Sequence, residues 1–304
     1  MKKIFVFSIA CLVSLNVYAQ SMLTSDGAAD LMMQDLGFNQ TQNPDQISTT
    51  VTTSADGSQI VRVLLKHPGV GDVRLLLKGE QGFFVRQDHN FRTAMIVSGF
   101  FTGEESVHLL GQVPGVVLVG FEYPYRAEDF QQDPGKILQF VRKTPGQVAL
   151  AMRWLTSQSW MNPQRLSVVA VSLGGVFAPS GIKLGQRLGV QLEKTVFICT
   201  GAEVSSILEF NLKPYVPEGW MGPVLSLLTA PMILADPKIH LPELKGSFLA
   251  IQTNQDTVIP RSSQQVMFEL LKNPKQEIIL NGPHINADQT ELIQKIQDIL
   301  LQAL

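Results

Sequence analysis

Two kinds of hydrophobic pattern alternate along most of this chain. Short apolar runs are typical of strands that are buried on both faces of a parallel sheet: TAMIVSG, GVVLVGF, RLSVVAVS, KTVFICTG, GSFLAIQT and QEIILNG. Stretches of helical period alternate with these runs: PGKILQFVRKTPGQVALAMRWLTSQ, GVFAPSGIKLGQRLG, RSSQQVMFELLKN and NADQTELIQKIQDILLQAL. This alternation predicts an α/β fold, with right-handed crossovers and a mainly parallel sheet that carries helices on both faces.

The chain ahead of this alternation has a different pattern. The runs QISTTVTTS and QIVRVLLKHPG, separated by the turn signal ADG, predict paired strands, and DVRLLLKG predicts a third. Residues 20–46 are polar apart from a short apolar patch, which favours a loosely packed lead-in. We therefore expect a polar lead-in over residues 20–55 and one large domain over residues 56–304. Within that domain, Pro145 is expected to break the first helical stretch into two pieces.

The N-terminal end has the three parts of a secretory signal peptide. Two lysines precede an apolar run from Ile4 to Leu15, and small or short residues follow as far as Ala19. The run is too short to span a bilayer as a permanent helix, so residues 1–19 predict export to the periplasm or the medium. A lipid anchor at Cys11 and a buried N-terminal helix are the alternatives, although the preceding SIA is a poor lipidation signal.

Composition excludes several classes of partner. The 304 residues are 45% hydrophobic, enough to bury a full core, and a net charge of −2 offers no electrostatic footprint for nucleic acid. After cleavage Cys199 is the one remaining cysteine, so no internal disulfide is expected. The sequence has no Gly-rich phosphate loop and no histidine or cysteine pair at metal-ligand spacing, so we expect neither a metal nor an organic cofactor.

The stretch VVAVSLGG, residues 168–175, places a lone serine between a buried strand and a helix. A nucleophilic serine needs a turn so tight that only small residues fit two positions either side, and here these are Ala170 and Gly174. The motif resembles the nucleophile elbow of the α/β-hydrolases, with Ala170 in the position where that family usually has glycine. The alternative is that Ser172 simply caps the helix, as serines often do.

Two loops further along the chain contain candidate partners for Ser172. Asp256 follows the apolar run FLAIQT, and His284 follows EIIL and precedes the last helical stretch. The order serine, acid, histidine is the order of the α/β-hydrolase family. Each partner also has an ordinary structural interpretation, Asp256 as a turn residue and His284 as a helix start. Glu203, after the preceding strand, is the main competitor for the acid.

The resemblance implies a mechanism as well as a fold. His284 would take the proton of Ser172, Asp256 would orient the imidazole, and an acyl-enzyme would form and be released by water. The oxyanion would be held by backbone N–H groups of Leu173 and Phe100. In the loop SGFFTG, a serine stands where the family often has histidine, which leaves the backbone donor of Phe100 in place.

The segment 204–244 is much longer than a typical connection between two core strands. It contains six prolines around the apolar patch GWMGPVLSLLTAPMIL, which predicts a small cap insertion over the active site. We assign Phe101, Trp220 and Met221 to the substrate pocket. An apolar cap would imply that the acyl or alcohol group of the substrate is hydrophobic. The alternative is an ordinary pair of surface helices packed on the sheet.

These features together predict a serine hydrolase that cleaves a small-molecule ester or acyl substrate, with no nucleic-acid partner and no stable membrane span. A peptidase or amidase would use the same triad. Two functions without catalysis are compatible with the same fold: a binding protein, and a structural envelope protein that inherits the architecture.

The export hypothesis predicts where the mature chain begins. Because the expected cleavage follows Ala19, N-terminal sequencing of protein from the periplasm or the medium should find Gln20 as the first residue. Recovery of an intact Met1 on protein from the cytosol would contradict the hypothesis.

Overall fold

Within the described residues, nine strands form a single sheet. The computed structural model describes residues 23–38, 44–99, 102–109, 113–133 and 135–304, and the expected signal peptide at residues 1–19 lies outside them. The strands are β1 (Asp45–Thr53), β2 (Gln59–His67), β3 (Gly71–Gly79), β4 (Phe91–Val97), β5 (Val116–Glu122), β6 (Met161–Val171), β7 (Lys194–Ile198), β8 (Ser247–Gln255) and β9 (Lys275–Pro283).

The sheet is mainly parallel, as the sequence predicts. Its strand order is β1-β2-β3-β5-β4-β6-β7-β8-β9. The pairs from β1 to β5 are antiparallel, whereas β5-β4, β4-β6 and every following pair are parallel. Because the parallel strands point the same way, the loops after β4, β6, β7, β8 and β9 leave the sheet at one edge, which we call the carboxyl edge.

Helices cover both faces of the sheet, which is also as predicted. They are α1 (Ser25–Asp35), α2 (Ala127–Gln132), α3 (Gly135–Thr156), α4 (Gly174–Arg187), α5 (Val204–Leu212), α6 (Glu218–Thr229), α7 (Pro237–His240), α8 (Arg261–Leu270) and α9 (Thr290–Ala303). In the part of the chain that the structure describes, four short 3₁₀ segments accompany them: Phe83–Val85, Gly103–His108, Ala230–Ala235 and Leu241–Glu243.

The core is divided between the two faces of the sheet. On one face, which we call the α3/α4 face, Val148 of α3 and Phe177 of α4 pack against strand residues that include Val168. On the other face, which we call the α9 face, Ile296 and Leu300 pack against strand residues that include Val169. Val168 and Val169 are consecutive in β6 and point to opposite faces, as strand geometry requires.

Helix α3 continues through Pro145, so the predicted break is wrong. A proline inside a helix costs about 3 kcal/mol or more, and packing on both sides of this position offsets that cost. A side chain on Gly146 would bring its Cβ to 2.6 Å from Leu36, and a Cβ on Gly181 of α4 would lie 2.6 Å from Val148. This close tertiary contact holds the two halves of α3 in line.

The start of the predicted lead-in is more tightly packed than its polar sequence suggests. Within α1, Ala28 and Ala29 are fully buried, and Met32 is 4% exposed. Lys183 of α4 reaches Asp26 of α1 with Nζ 2.9 Å from the carboxylate oxygen. Three of its four buried residues, Ser25, Ala28 and Ala29, are small and give little hydrophobic signal, and Met32 belongs to a patch too short to show a helical period.

The segment Glu218–Glu243 meets the length and composition criteria for a membrane span. It is 26 residues long, the mean hydropathy of its most apolar 18-residue part is 1.2, and 28% of that part is buried inside the protein. The α-helical geometry gives way to a 3₁₀ segment over Ala230–Ala235, so α6 itself covers only the first half of this stretch. By itself the composition is a weak indication, because core helices of soluble proteins also meet these criteria.

The packing of α1 predicts a large difference between two of its leucines. Leu36 is 1% exposed at the end of α1, whereas Leu31 is 49% exposed. Leu36→Ala should lower the free energy of unfolding by about 2–5 kcal/mol. Leu31→Ala should change it by less than about 0.5 kcal/mol. Urea denaturation measures both; equal, small effects would show that α1 is not part of the cooperative core.

Candidate active site

Three predicted site residues meet at the carboxyl edge of the sheet. Ser172 directly follows β6, Asp256 follows β8 and His284 follows β9. The Oγ of Ser172 lies 2.8 Å from Nε2 of His284, and the Nδ1 of His284 lies 2.8 Å from an oxygen of Asp256. One continuous line of hydrogen bonds therefore joins the three side chains.

The backbone of Ser172 has an unusual conformation. Its φ of 52° lies in the left-handed region, which a residue with a side chain adopts at a cost. Its N–H donates to the carbonyl oxygen of Ile198 in the neighbouring strand β7 at 2.9 Å, which holds the turn in place. A serine in such a turn stands clear of both strand and helix, the arrangement expected of a nucleophile elbow.

The small residues of the elbow are required by close contacts. A Cβ on Gly174 would lie 1.8 Å from the carbonyl oxygen of Val97, at the end of β4. A Cβ on Gly175 would lie 2.3 Å from the side chain of Thr200. Helix α4 therefore starts directly against the ends of its neighbours, and this brings the loop after β4 next to Ser172.

The histidine and the acid are held as a pair by the sheet. Gln255 and Pro283 are register partners at the ends of β8 and β9, so the residues that follow them emerge side by side. The carboxylate of Asp256 is 2% exposed and accepts N–H groups of Val258 and Ile259 at 2.8 Å each. Asp256 is thus a turn residue as well as the partner of the histidine.

The proton positions follow from these partners. A carboxylate can only accept, so Nδ1 of His284 donates to Asp256. This leaves Nε2 as the acceptor for the hydroxyl of Ser172. The structure contradicts the interpretation of Ser172 as a helix cap. Its hydroxyl bonds to His284, and no side chain caps the start of α4.

Glu203, the competing acid, lies apart from this line of hydrogen bonds. It precedes α5 with a φ of 61°, and its carboxylate bonds to Lys238 and to Ser206. Its pairing with Lys238 explains its position without a role for His284. The structure therefore brings Asp256, and not Glu203, to the imidazole.

One neighbour of the site was not anticipated from the sequence. Cys199 follows β7 and offers a thiol, and its Sγ and ligand atoms of Asp256 and His284 all lie within 4.8 Å of one another. Burial raises the pKa of this thiol to about 11, which keeps it protonated. Because the thiolate is the nucleophilic form of cysteine, this environment does not favour attack by Cys199. The sequence offers no signal for it beyond its position at a strand end.

The two predicted oxyanion donors differ in what the structure describes. Leu173 follows Ser172 directly and stands at the N-terminus of α4, whose first N–H groups have no partner within the helix. Phe100 lies outside the described residues. The residues before it are anchored, since Tyr123 donates its hydroxyl to the carbonyl oxygen of Ser98 at 2.7 Å. Burial raises the pKa of Tyr123, so that hydroxyl remains a donor.

A cavity of about 500 Å³ opens beside Ser172 and His284. It lies at the carboxyl edge on the α9 face of the sheet, and its partly exposed lining residues include Val171 at the end of β6 and Ile293 of α9. Its lining residues, as far as the structure describes them, do not include any from the segment 204–244.

This corrects the predicted substrate pocket. Trp220 is 65% exposed on α6, and neither Trp220 nor Met221 lines the cavity. The physical reason is the direction in which the segment packs: Ala235 and Leu241 belong to the core of the α3/α4 face, opposite the cavity. Phe101, the third residue assigned to the pocket, lies outside the described residues.

Comparisons with known proteins identify the fold. No protein-family model and no curated protein matches this sequence. Among solved structures, an acetyl xylan esterase from Paenibacillus sp. is similar with a TM-score of 0.66 and 14% identity, covering 92% of each chain.

Two other esterases are also similar. An acetyl xylan esterase from Thermoanaerobacterium sp. has a TM-score of 0.63 and 11% identity, covering 91% of this chain and 93% of that one. An esterase from Thermogutta terrifontis has a TM-score of 0.54 and 15% identity, covering 79% and 90%. At such identities the likeness concerns architecture. Together with the sheet order and the elbow, it shows that the chain has the α/β-hydrolase fold.

Proposed function

We propose that this chain is a serine hydrolase that cleaves carboxylic esters, with Ser172 as nucleophile, His284 as general base and Asp256 as the acid that orients it. The observation that carries the proposal is the unbroken line of hydrogen bonds, 2.8 Å at each step, at the edge where parallel strands end. The esterase names of the similar structures favour the ester class, and a hydrolase of this fold needs no further group for that reaction.

The proposed reaction follows from the geometry. Nε2 of His284 takes the hydroxyl proton as Ser172 Oγ attacks the carbonyl carbon, and the oxyanion that forms is held by backbone N–H groups. The proton then passes from His284 to the departing alcohol, and an acyl-enzyme remains on Ser172. Water, activated by the same nitrogen, releases the acid. Throughout, Asp256 keeps Nδ1 protonated and stabilises the imidazolium.

The alternative of a non-catalytic binding protein would be favoured if Ser172 and His284 were too far apart to form a hydrogen bond. The 2.8 Å separation of Oγ and Nε2 argues against it. A peptidase or amidase would use the same triad, so activity on matched amide and ester substrates decides between them. We also propose that the mature enzyme acts outside the cytoplasm, which rests on the signal-peptide pattern of residues 1–19.

The triad predicts that its members act as one unit. Ser172→Ala and His284→Ala should each lower kcat/KM for an ester by a factor on the order of 10⁶, and the double variant should be no worse. Steady-state hydrolysis of a chromogenic ester measures this. The proposed mechanism would be contradicted if the losses of the two single variants added up in the double variant. Wild-type activity in Ser172→Ala would contradict it as well.

The choice of acid is tested by a matched pair of amide substitutions. Asp256→Asn should lower kcat/KM by about 10⁴, because the amide favours the wrong imidazole tautomer. Glu203→Gln should stay close to wild type, because its carboxylate bonds to Lys238 and Ser206 and not to His284. If Glu203→Gln loses ester hydrolysis and Asp256→Asn keeps it, then Glu203 is the acid of the triad. The role of Ser172 as nucleophile would be unaffected.

A further inference from the structure

Helix α6 is apolar on almost all sides, and yet none of its residues is buried against the described part of the chain. From Gly219 to Ala235 the sequence has no charged side chain. A helix that is apolar all round is normally buried, either in the core of a protein or in a membrane. In α6, however, Trp220, Leu227 and Leu228 are 65%, 77% and 42% exposed. An apolar surface of this kind indicates a binding surface.

The exposed large side chains of α6 lie along one side of the helix. Leu227 and Leu228 follow Trp220 by seven and eight residues, a spacing that returns to the same side after two helical turns. We call these three residues the apolar stripe. Tyr215, in the turn before α6, is 82% exposed and adds a second aromatic ring. Tryptophan and tyrosine are the side chains that favour the boundary between a membrane and water, because each has an apolar ring and a polar group.

The dimensions of α6 suit a position on a bilayer and not across it. Its 12 residues rise by about 18 Å, whereas a helix needs about 20 residues to cross the hydrocarbon core. The helix also contacts α5 and the 3₁₀ segment Ala230–Ala235, which hold it against the protein. A helix that lies in a membrane interface buries its apolar side to a depth of about 5–10 Å. The apolar stripe is available for this, because it is exposed.

The side chains of α6 complement lipid better than they complement a protein. Protein interfaces have about one hydrogen bond per 100–200 Å² and are enriched in arginine. The two hydroxyl groups of α6 belong to Ser226 and Thr229, and that of Thr229 already donates to the carbonyl oxygen of Leu225 within the helix. A surface with so few donors and no charge beyond Glu218 is what a bilayer accepts, because charges and unpaired polar groups are costly in hydrocarbon.

The N-terminal end of the described chain lies next to the same apolar segment. Leu234, in the 3₁₀ segment that follows α6, packs against a cluster that includes residues of α1. Its carbonyl oxygen accepts Nε2–H of His240 at 2.7 Å, and Nδ1 of His240 lies 3.2 Å from the hydroxyl of Ser25. The apolar run Ile4–Leu15, which we expect to enter a membrane during export, precedes this point in the chain. Two apolar parts of the chain therefore join the protein at neighbouring places.

We propose that the apolar stripe is a membrane-docking surface, through which the protein attaches to a lipid bilayer. Trp220, Leu227 and Leu228 enter the boundary between headgroups and acyl chains, and Tyr215 stays at the level of the headgroups. Because the stripe has no charge, attachment depends on the apolar area that is buried and does not need anionic lipid. The proposal concerns binding, and it does not depend on the reaction at Ser172.

The docking surface starts close to the candidate active site. Helix α5 follows β7 at the carboxyl edge, and the side-chain amide of Asn211 donates to the carbonyl oxygen of Val258 at 2.7 Å. Val258 lines the cavity beside Ser172. Tyr215 follows Asn211 by only four residues, so the first exposed aromatic ring of this surface is near the cavity. Docking through α6 would therefore keep the cavity near the lipid.

The tryptophans of this chain make a fluorescence test specific to the stripe. Of the three, Trp154 and Trp160 are 3% and 1% exposed, so a change of emission on contact with lipid reports Trp220. Phosphatidylcholine vesicles should shift the emission of the Ser172→Ala protein to shorter wavelength, and this variant excludes cleavage of lipid by the proposed reaction. Adding Trp220→Phe should abolish the shift, whereas sedimentation of the protein with the vesicles should persist.

A charge in the stripe should release the protein from the vesicles. Burial of one leucine side chain changes a partition constant by about 10- to 100-fold, so Leu227→Glu should weaken the partition at least tenfold. The matched control is Leu301→Glu, which should have no effect, because Leu301 is 54% exposed on α9 and lies outside the stripe. Sedimentation at rising lipid concentration measures both. The proteins compared have the same N-terminus, so any contribution of residues 1–19 is equal in all of them.

Three results would overturn the proposal. The first is an emission of Trp220 that does not change with lipid, or a partition that is equal in Leu227→Glu and Leu301→Glu. The second is binding that requires phosphatidylglycerol and is lost at high salt, which would make it electrostatic. The third is a dimer in the absence of lipid that Leu227→Glu converts to a monomer, with no binding of the wild type to vesicles. This third result would assign the stripe to a second copy of the chain.

Discussion

The contact between Gly174 and the carbonyl oxygen of Val97 determines where everything else in the site can lie. With a Cβ there, the separation would be 1.8 Å, so the start of α4 can come this close to β4 only without a side chain. The tight turn in turn forces Ser172 to a φ of 52°, which lifts its side chain out of the sheet edge. The hydroxyl then reaches His284 because the neighbouring parallel strands end at the same edge.

The two faces of the sheet have different roles in this arrangement. On the α3/α4 face, close contacts at Gly146 and Gly181 hold the helices tightly, and the apolar segment 204–244 adds to that packing. On the α9 face a single long helix leaves space beside the serine. Rigid packing on one side supports the strained turn, and the open volume on the other side is available to a substrate.

Much of the fold and of the candidate site could be predicted from local patterns. The strands were visible as apolar runs, and Ser172, Asp256 and His284 each follow such a run. Helix α1 was missed because three of its four buried residues, Ser25, Ala28 and Ala29, are small and produce little hydrophobic signal. Pro145 was misjudged because a local rule against proline in helices takes no account of the tertiary packing that overrides it.

The position of the pocket could not be predicted for a related reason. Trp220 was assigned because its segment is apolar, but composition does not show what a segment packs against, and Trp220 is 65% exposed. The cavity depends on how the loops after β4 and β9 and the start of α9 come together beside Ser172, which no periodicity encodes.

The central claim, that Ser172 is the activated nucleophile, is tested most directly by covalent labelling. A fluorophosphonate probe reacts with a serine only when a base activates it. Mass spectrometry of the digested, labelled protein should find one adduct, on the peptide that contains Ser172, and none after prior heat denaturation. An adduct on another residue, or no adduct on the folded protein, would contradict the account.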